Sequence, residues 1–393
     1  MKKCCPICKS ESIEVLFESH VPVLQNRVYE IKNEAINCHQ GIINLAHCND
    51  CNFSFNASFD ESKIVYDEEY DNAVPSKLFA DYYQSIGEYL YKKYNLENGV
   101  VYDIGCGKGT FLKMLCSLYP NIKGVGIDPS YEGDLNPMEN LTFIREFFKH
   151  EQVTDAPNLI LSRHVFEHIE FPKDFLEIIR EPIINYPNVP VFIEVPDFNW
   201  IVENKTFWDL CYEHCNYFSE KSLAEVFNHS WAQLTKITKS FNDQYLWVEG
   251  IFNPTNEIKA LYHPFEIKSK GIYEFIDSIQ LAKQKVLQLI LDYKSKDYQT
   301  VVWGMATKGV IFTNNMDANA TLIDFCIDIN QEKQQKYSPI SGHLIQSPTV
   351  LSTLKEQKVV IIVMNPNYVA EIKQAVHEYI QEAIFMDAHG TII

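Results

Sequence analysis

The densest group of chemically reactive side chains lies between residues 209 and 219, and it contains Tyr212, Glu213, His214 and Tyr217. A neutral histidine accepts a proton at physiological pH, and a neighbouring carboxylate orients it or raises its basicity. A tyrosine hydroxyl can donate a hydrogen bond to a developing oxyanion. These residues favour proton abstraction as the chemistry. Packing and helix capping, with Ser219 starting the next helix, is the open alternative.

Two C-x-x-C pairs lie about forty residues apart near the start of the chain, at Cys5 and Cys8 and at Cys48 and Cys51. Four thiolates suit a tetrahedral, structural zinc ion, because such a closed site keeps no open coordination position. The other ligand candidates are Cys4, Cys38, His39 and His47. A redox pair and free buried cysteines are the competing interpretations.

A glycine-rich turn follows the apolar strand 100–104 and reads D-x-G-x-G-x-G from Asp103 through Gly105, Gly107 and Gly109. Glycine permits a tight turn and a close approach of ligand to backbone. The next strand ends in Asp128, where an acid suits the two hydroxyls of a ribose. The spacing differs from the G-x-G-x-x-G of dinucleotide sites, which disfavours a nicotinamide cofactor.

His164 follows a third strand, 159–162, whose carboxyl end we expect at the same ligand crevice. The histidine is placed to contact a cofactor or substrate there, whereas Glu167 and His168 equally suit capping and solvating a helix. Near the end of the chain, Lys308 follows a strand and a glycine turn. It is a candidate for contacting a phosphate, although packing of the turn is the simpler reading.

The elements that must position these residues alternate in the manner of a parallel α/β sheet. The predicted strands are 100–104, 123–127, 159–162 and 191–195, with helices at 77–94, 109–118, 171–180 and 223–227. A second α/β pattern follows a helix at 276–293, with strands at 300–303, 320–327 and 359–364 and a helix at 368–379.

Composition limits the classes of partner. The chain has 393 residues and a formal net charge of −18, and no basic stripe offsets this negative field, so we expect no nucleic-acid partner. We also expect no membrane partner, because no apolar run is long enough to span a bilayer. The beginning lacks the apolar core of a signal peptide, so a cytoplasmic location is expected.

The glycine loop and its following acid resemble those of class I S-adenosylmethionine methyltransferases. The resemblance implies that Gly105, Gly107 and Gly109 wrap the methionine and ribose of the cofactor and that Asp128 binds the ribose hydroxyls. It also implies that Asp103 positions the loop or the methionine amino group, with His164 near the methionine end. The implied fold is a Rossmann-like α/β sheet.

The order of motifs along the chain resembles that of the three-domain sugar C-methyltransferases. It consists of the two C-x-x-C pairs, the glycine loop, Glu-His followed by Tyr-Phe-Ser, and a C-terminal α/β domain. That family acts on nucleotide-linked 4-keto deoxysugars, and the resemblance implies His214 as general base, with Glu213 before it and Tyr217 in the closing pair. The chain departs from the family's Tyr-His-Glu-His-Leu at three positions, where it has Cys211, Tyr212 and Cys215.

This resemblance implies a zinc-ribbon-like module at 1–62, a tyrosine-containing linker and helix at 63–98, a cofactor-binding methyltransferase domain at 99–255 and a second α/β domain at 256–393. In the linker, Tyr66 or Tyr70 is expected to reach the active site and cover the sulfonium or bind substrate, and an ordered linker with packed tyrosines is the open alternative. The expected reaction is methylation of carbon next to a carbonyl of a small molecule such as a nucleotide-linked sugar. The alternatives are O- or N-methylation and a non-catalytic scaffold.

Overall fold

The computed structural model describes residues 2–65, 76–228, 230, 232–255 and 270–393. The linker tyrosines Tyr66 and Tyr70, both candidates for the active site, lie outside the described residues. Within the described ranges, none of the helices is long and apolar enough to cross a membrane.

The described strands are β1 Ile13–Pro22, β2 Gln40–Cys48, β3 Ser54–Asn56, β4 Val100–Ile104, β5 Lys123–Ile127, β6 Leu141–Ile144, β7 Leu159–Arg163, β8 Val189–Pro196, β9 Asn216–Tyr217, β10 Ala232–Ser240, β11 Tyr245–Phe252, β12 Tyr298–Trp303, β13 Phe325–Ile327, β14 Ile345–Gln346, β15 Lys358–Val363 and β16 Ile384–Asp387. The described helices are α1 Lys32–Ile36, α2 Lys77–Lys93, α3 Thr110–Leu118, α4 Pro172–Arg180, α5 Phe198–Glu203, α6 Glu220–Asn228, α7 Lys270–Lys294, α8 Thr307–Met316 and α9 Val369–His377.

The first sheet is antiparallel and has the order β1-β2-β3-β9. Its first three strands come from the beginning of the chain, whereas β9 comes from the segment that follows His214. Phe55 of β3 pairs with Asn216 of β9. The N-terminal module is therefore hydrogen-bonded directly to the segment that carries the candidate base.

The central sheet has the order β10-β11-β8-β7-β4-β5-β6. Strands β4 to β8 are parallel, and β11 pairs in the antiparallel sense with both β8 and β10. Chain order reverses between β4 and β7, so a crevice opens outside the carboxyl ends of these two strands, where ligands bind in open α/β sheets. Helix α2 packs on this sheet, since Ile86 and Leu90 share a core with Leu112 and Leu115 of α3.

The third sheet is entirely parallel and has the order β14-β13-β12-β15-β16. Its strands β12 and β15 are buried along most of their length, as expected for parallel strands covered on both faces. The predicted fold class, a Rossmann-like sheet with a cysteine-containing N-terminal module and a second α/β domain, is confirmed.

Most predicted elements agree with the structure within one or two residues, and three differ by more. Helix α6 begins at Glu220, three residues before the predicted start. Helix α7 begins at Lys270, six residues before the predicted start. The predicted strand 320–327 is wrong in its first half, because β13 begins only at Phe325. Upstream of it, the Asp317 carboxylate accepts hydrogen bonds from the backbone N–H groups of Thr321, Leu322 and Ile323, so these groups are not available to a sheet.

Candidate active site

The glycine turn after β4 has left-handed backbone at all three predicted glycines, with φ of 77° at Gly105, 55° at Gly107 and 72° at Gly109. A Cβ added at Gly105 would lie 2.2 Å from Val165 Cγ2, and one at Gly109 would lie 2.4 Å from Phe143 Cζ. A Cβ at Gly107 would meet no described atom within 4 Å. Two glycines are thus required by protein packing, whereas Gly107 faces open space.

Asp103 lies at the end of β4 and is 3% exposed. Its Oδ1 has no hydrogen-bond partner among the described residues. Burial raises the pKa of this carboxyl to about 6, although the positive charge of Arg163 opposes the shift. A buried acceptor without a donor costs about 1–3 kcal/mol, so an ammonium group bound in the crevice would satisfy it.

Asp128, at the end of β5, holds the glycine turn in place. Its Oδ2 accepts a hydrogen bond from Gly107 N–H at 2.8 Å, and its Oδ1 accepts from the backbone N–H and hydroxyl of Ser130, each at 2.7 Å. The carboxylate therefore lies beside the turn at the crevice, as its position in the sequence predicted. Its expected contact with ribose hydroxyls stays a prediction.

His164 has a left-handed backbone, with φ of 53°. Its Nε2 lies 3.3 Å from Glu194 Oε2, and its Nδ1 lies 3.6 Å from Glu167 Oε1. Burial disfavours a charged ring, but the two carboxylates outweigh it and raise the pKa of His164 to about 9. The histidine is therefore positively charged at neutral pH, at the carboxyl end of β7.

A buried network under the crevice was not predicted from the sequence. Glu194 of β8 is fully buried and accepts hydrogen bonds from Arg163 Nε at 2.9 Å, from the Tyr82 hydroxyl and from Trp247 Nε1 at 3.1 Å. Although burial opposes its charge, the neighbouring Arg163 and His164 hold the pKa of Glu194 well below its usual range. The available signal was a charged residue inside an apolar parallel strand, which is rare unless the charge is paired.

His214 is partly buried beside the short turn that follows β7. Its ring meets that of His168 edge to face, with centroids 4.9 Å apart. One carboxylate oxygen of Glu167 and one ring nitrogen each of His168 and His214 all lie within 4.8 Å of one another. Burial and the positive charges of His164 and Lys308 lower the pKa of His214 to about 3. The imidazole is therefore neutral at neutral pH and keeps a lone pair on one ring nitrogen.

Three other predicted residues of this segment make contacts with the backbone. The Glu213 carboxylate accepts a hydrogen bond from the backbone N–H of Gln25 at 2.9 Å. The Tyr212 hydroxyl accepts one from Asp60 N–H at 2.9 Å, and the Tyr217 hydroxyl donates one to the Cys211 carbonyl at 3.1 Å. Their catalytic roles stay predictions, and each of them also has a structural role in attaching the segment to its surroundings.

The C-terminal domain reaches this region through Lys308, at the beginning of α8. Its ammonium forms an ion pair with Asp209 and lies 5.4 Å from the centre of the Trp200 ring. Both ionic side chains are about four-fifths buried, with 22% and 17% exposure. A phosphate contact by Lys308 stays a prediction, and its present partner is a carboxylate of the candidate active-site segment.

The four cysteines of the two C-x-x-C pairs come together in the N-terminal module. The Sγ atoms of Cys5 and Cys51 are 3.6 Å apart, as are those of Cys8 and Cys48. Four thiolates bound tetrahedrally to zinc at about 2.3 Å would have neighbouring sulfurs about 3.8 Å apart. The cluster thus fits a zinc ion. Of the alternative ligands, His47 instead pairs through Nδ1 with Ser54 at 3.0 Å.

Comparisons with protein families agree with this arrangement. Residues 76–239 match the model of a methyltransferase domain, and residues 259–386 match that of a C-methyltransferase C-terminal domain. The chain therefore carries a methyltransferase domain followed by a domain of the type that ends C-methyltransferases. No curated protein matches the chain.

Several solved structures are similar to part of the chain. The plantazolicin methyltransferase BpumL in complex with SAH is 18% identical, with a TM-score of 0.34 over 45% of this chain and 89% of that one. The riboflavin-analogue dimethyltransferase RosA from Streptomyces davawensis is 15% identical, with a TM-score of 0.34 over 44% and 57% of the two chains. Coclaurine N-methyltransferase is 11% identical, with a TM-score of 0.34 over 46% and 75%.

Proposed function

We propose that this protein is an S-adenosylmethionine-dependent C-methyltransferase that methylates carbon next to a carbonyl of a nucleotide-linked keto-deoxysugar. The observation that carries the proposal is the position of His214, which lies beside the turn that follows β7 in a methyltransferase domain that a C-methyltransferase C-terminal domain follows. The sugar part rests on the order of motifs along the chain. A reduced, cytoplasmic protein agrees with eleven free cysteines.

The residues around the glycine turn fit S-adenosylmethionine. The buried Asp103 Oδ1, which lacks a hydrogen-bond partner in the described part of the chain, would bind the methionine ammonium. Open space at Gly107 leaves room for the cofactor against the backbone, and Asp128 at the end of β5 would bind the ribose hydroxyls. When bound, the cofactor would supply a methyl group on a sulfonium sulfur, and the sulfur would leave as a neutral thioether.

The chain's own contribution is to create the nucleophile. His214 would remove the proton from the carbon next to the carbonyl, leaving an enolate that is methylated on carbon. The ring becomes positively charged as it takes the proton, and the Glu167 carboxylate nearby stabilises that charge. Tyr212, Tyr217 or Tyr70 would donate a hydrogen bond to the enolate oxygen, with Glu213 holding the segment through Gln25.

The test uses a nucleoside-diphosphate 4-keto deoxysugar as acceptor and follows both methyl transfer and exchange of the acceptor C–H with solvent deuterium. His214→Ala should lower turnover by about 100-fold or more, the usual contribution of a general base, while cofactor affinity stays unchanged. Solvent exchange should be lost in parallel. Turnover equal to wild type in this variant would remove His214 from the mechanism.

A calorimetric control separates cofactor binding from chemistry. Asp128→Ala should weaken S-adenosylmethionine binding by about tenfold or more, because a lost hydrogen bond corresponds to about 1–3 kcal/mol. Methyl transfer to oxygen or nitrogen, without exchange of an acceptor C–H, would favour the O- or N-methyltransferase alternative. Failure of folded, zinc-loaded wild type to bind the cofactor would favour a non-catalytic scaffold.

A further inference from the structure

Three side chains with metal-binding atoms meet beside the candidate crevice, separately from the four cysteines. They are Glu167, His168 and His214, and their ligand atoms lie within 4.8 Å of one another. The two imidazole rings are almost perpendicular, at 89°, with centroids 4.9 Å apart. Two imidazoles and one carboxylate form a ligand set that suits zinc and related transition metals.

The backbone holds these three residues at a fixed spacing. The Cys215 thiol donates a hydrogen bond to the Glu167 carbonyl at 3.4 Å, and the Asn216 side-chain amide donates one to the Ile169 carbonyl at 2.5 Å. Both contacts join the segment after His214 to the turn that carries Glu167 and His168. Pairing of β9 with β3 fixes the same segment from its other side. The cluster is therefore preorganised by two side-chain-to-backbone hydrogen bonds and by strand pairing.

The Glu167 carboxylate gives an independent indication of a cation-binding site. This residue is 2% exposed, and its Oε2 has no hydrogen-bond partner among the described residues. Its other oxygen lies 3.6 Å from His164 Nδ1. A buried carboxylate oxygen without a donor is unfavourable, whereas coordination to a cation would satisfy it.

We propose that Glu167, His168 and His214 form a second metal site, which binds a divalent ion of the zinc class and prevents His214 from acting as a base. The ion would take the lone pair of one ring nitrogen of His214, and the other nitrogen of a neutral imidazole carries the proton. A coordinated His214 therefore has no lone pair left to remove a substrate proton. Metal binding stands independently, whereas the blocking role rests on the proposed function.

Binding is tested on full-length protein that already holds one zinc ion per chain. Zn²⁺ is added during calorimetry, and metal content is measured after gel filtration. Wild type should bind a second ion per chain, and His168→Gln and Glu167→Gln should each weaken that binding by at least about tenfold. The matched control is His150→Gln, which changes an exposed histidine outside the cluster. Retention of the first zinc ion shows that each variant is folded at the cysteine cluster.

Two binding results would overturn the site. One is a single ion per wild-type chain at saturating Zn²⁺. The other is a second ion that both cluster variants bind as tightly as wild type does, because it would then lie elsewhere.

The blocking role is tested by the rate of methyl transfer during the same Zn²⁺ titration. Wild-type turnover should fall over the concentration range in which the second ion binds. Turnover of His168→Gln, compared with its own rate before Zn²⁺ is added, should stay constant over that range. If the second ion binds and wild-type turnover stays unchanged, the proposed blocking of His214 is contradicted. If wild type shows no methyl transfer before Zn²⁺ is added, the proposed function is contradicted instead.

Discussion

At the residue scale, the crevice places ionisable groups in contrasting surroundings. Asp103 is buried with an unpaired oxygen, and the pKa of its carboxyl is raised to about 6. Glu194, two strands away in the central sheet, is surrounded by Arg163, His164, Tyr82 and Trp247 and stays ionised. These different environments indicate different roles. Glu194 binds the side chains that surround it under the crevice, whereas Asp103 has an oxygen available to a ligand.

This difference predicts a pH dependence of cofactor binding. Asp103 must be ionised to attract the methionine ammonium, and it gains a proton as the pH falls through its pKa of about 6. Affinity for S-adenosylmethionine should therefore be constant above neutral pH and about tenfold weaker at pH 5. Calorimetry between pH 5 and 8 measures this. Asp103→Asn should bind weakly with no such pH dependence, and an equally steep dependence in that variant would exclude Asp103 as its source.

The residue scale also shows two carboxylates that are candidates for acting with His214. Glu213 precedes His214 in the sequence and its role stays a prediction, and its carboxylate accepts a hydrogen bond from the backbone N–H of Gln25. The carboxylate that shares a cluster with His214 is Glu167, 47 residues earlier in the chain. Contact between residues this far apart in the chain depends on how separate elements pack, so the sequence around His214 did not indicate Glu167.

At the element scale, the glycine turn between β4 and α3 combines two different requirements. Gly105 and Gly109 lack the space for a Cβ because Val165 and Phe143 pack against them. Gly107 has the space, and its backbone N–H binds Asp128. The motif predicted the turn correctly, but only packing shows which glycine faces the region expected to hold a ligand.

A pair of alanine substitutions separates these requirements. Both Gly107→Ala and Gly109→Ala introduce left-handed strain of about 1–2 kcal/mol. Gly109→Ala should lose a further ~1–3 kcal/mol of unfolding free energy from its overlap with Phe143, as measured by urea denaturation without cofactor. Gly107→Ala should keep more stability but bind S-adenosylmethionine more weakly. Equal stability losses would show that Phe143 moves aside at no cost.

Secondary structure followed the sequence best where the pattern was local. The apolar runs at 100–104 and 123–127 are strands with those same limits. The two-residue strand β9 was not predicted, because a strand this short forms only when β3 is placed beside it. The first half of the predicted strand 320–327 failed because a single side chain, Asp317, binds the amides that a neighbouring strand would need.

At the scale of the whole molecule, one hydrophobic core contains residues of the N-terminal module, the methyltransferase domain and the C-terminal domain. It includes Ile43 and Leu45 from the N-terminal module, Trp208 from the segment before His214, and Ile311 and Phe312 from α8. The candidate catalytic segment contributes Leu210, Tyr212 and Tyr217 to this core. Its conformation therefore depends on the N-terminal module and on the C-terminal domain as well as on the sheet that would bind the cofactor.

This connection predicts that losing the zinc ligands affects activity as well as stability. Cys51→Ser should lower the midpoint of thermal unfolding by roughly 5 °C or more. Each kcal/mol of lost unfolding free energy corresponds to about 2–4 °C for a domain of about 150–250 residues. Methyl transfer should fall too, because β9 pairs with the destabilised module. Cys4→Ser, outside the cluster, is the control. Full activity in Cys51→Ser would show that the module and catalytic segment are independent.

The sequence by itself determined the properties that depend on local pattern. Apolar periodicity defined the α/β class, the C-x-x-C spacing defined the cysteine cluster, and the glycine turn with its following acid indicated the cofactor class. Family comparison supports the methyltransferase class. These features were readable because each requirement acts within a few residues or between consecutive elements.

Only the tertiary structure decided which distant residues meet. It placed Glu167 and His168 beside His214, attached Glu213 to the N-terminal module and brought Lys308 to Asp209. It also showed that Glu194 is the buried centre of the polar network under the crevice. The physical reason is that such contacts depend on how separate elements pack, which no spacing within one segment records.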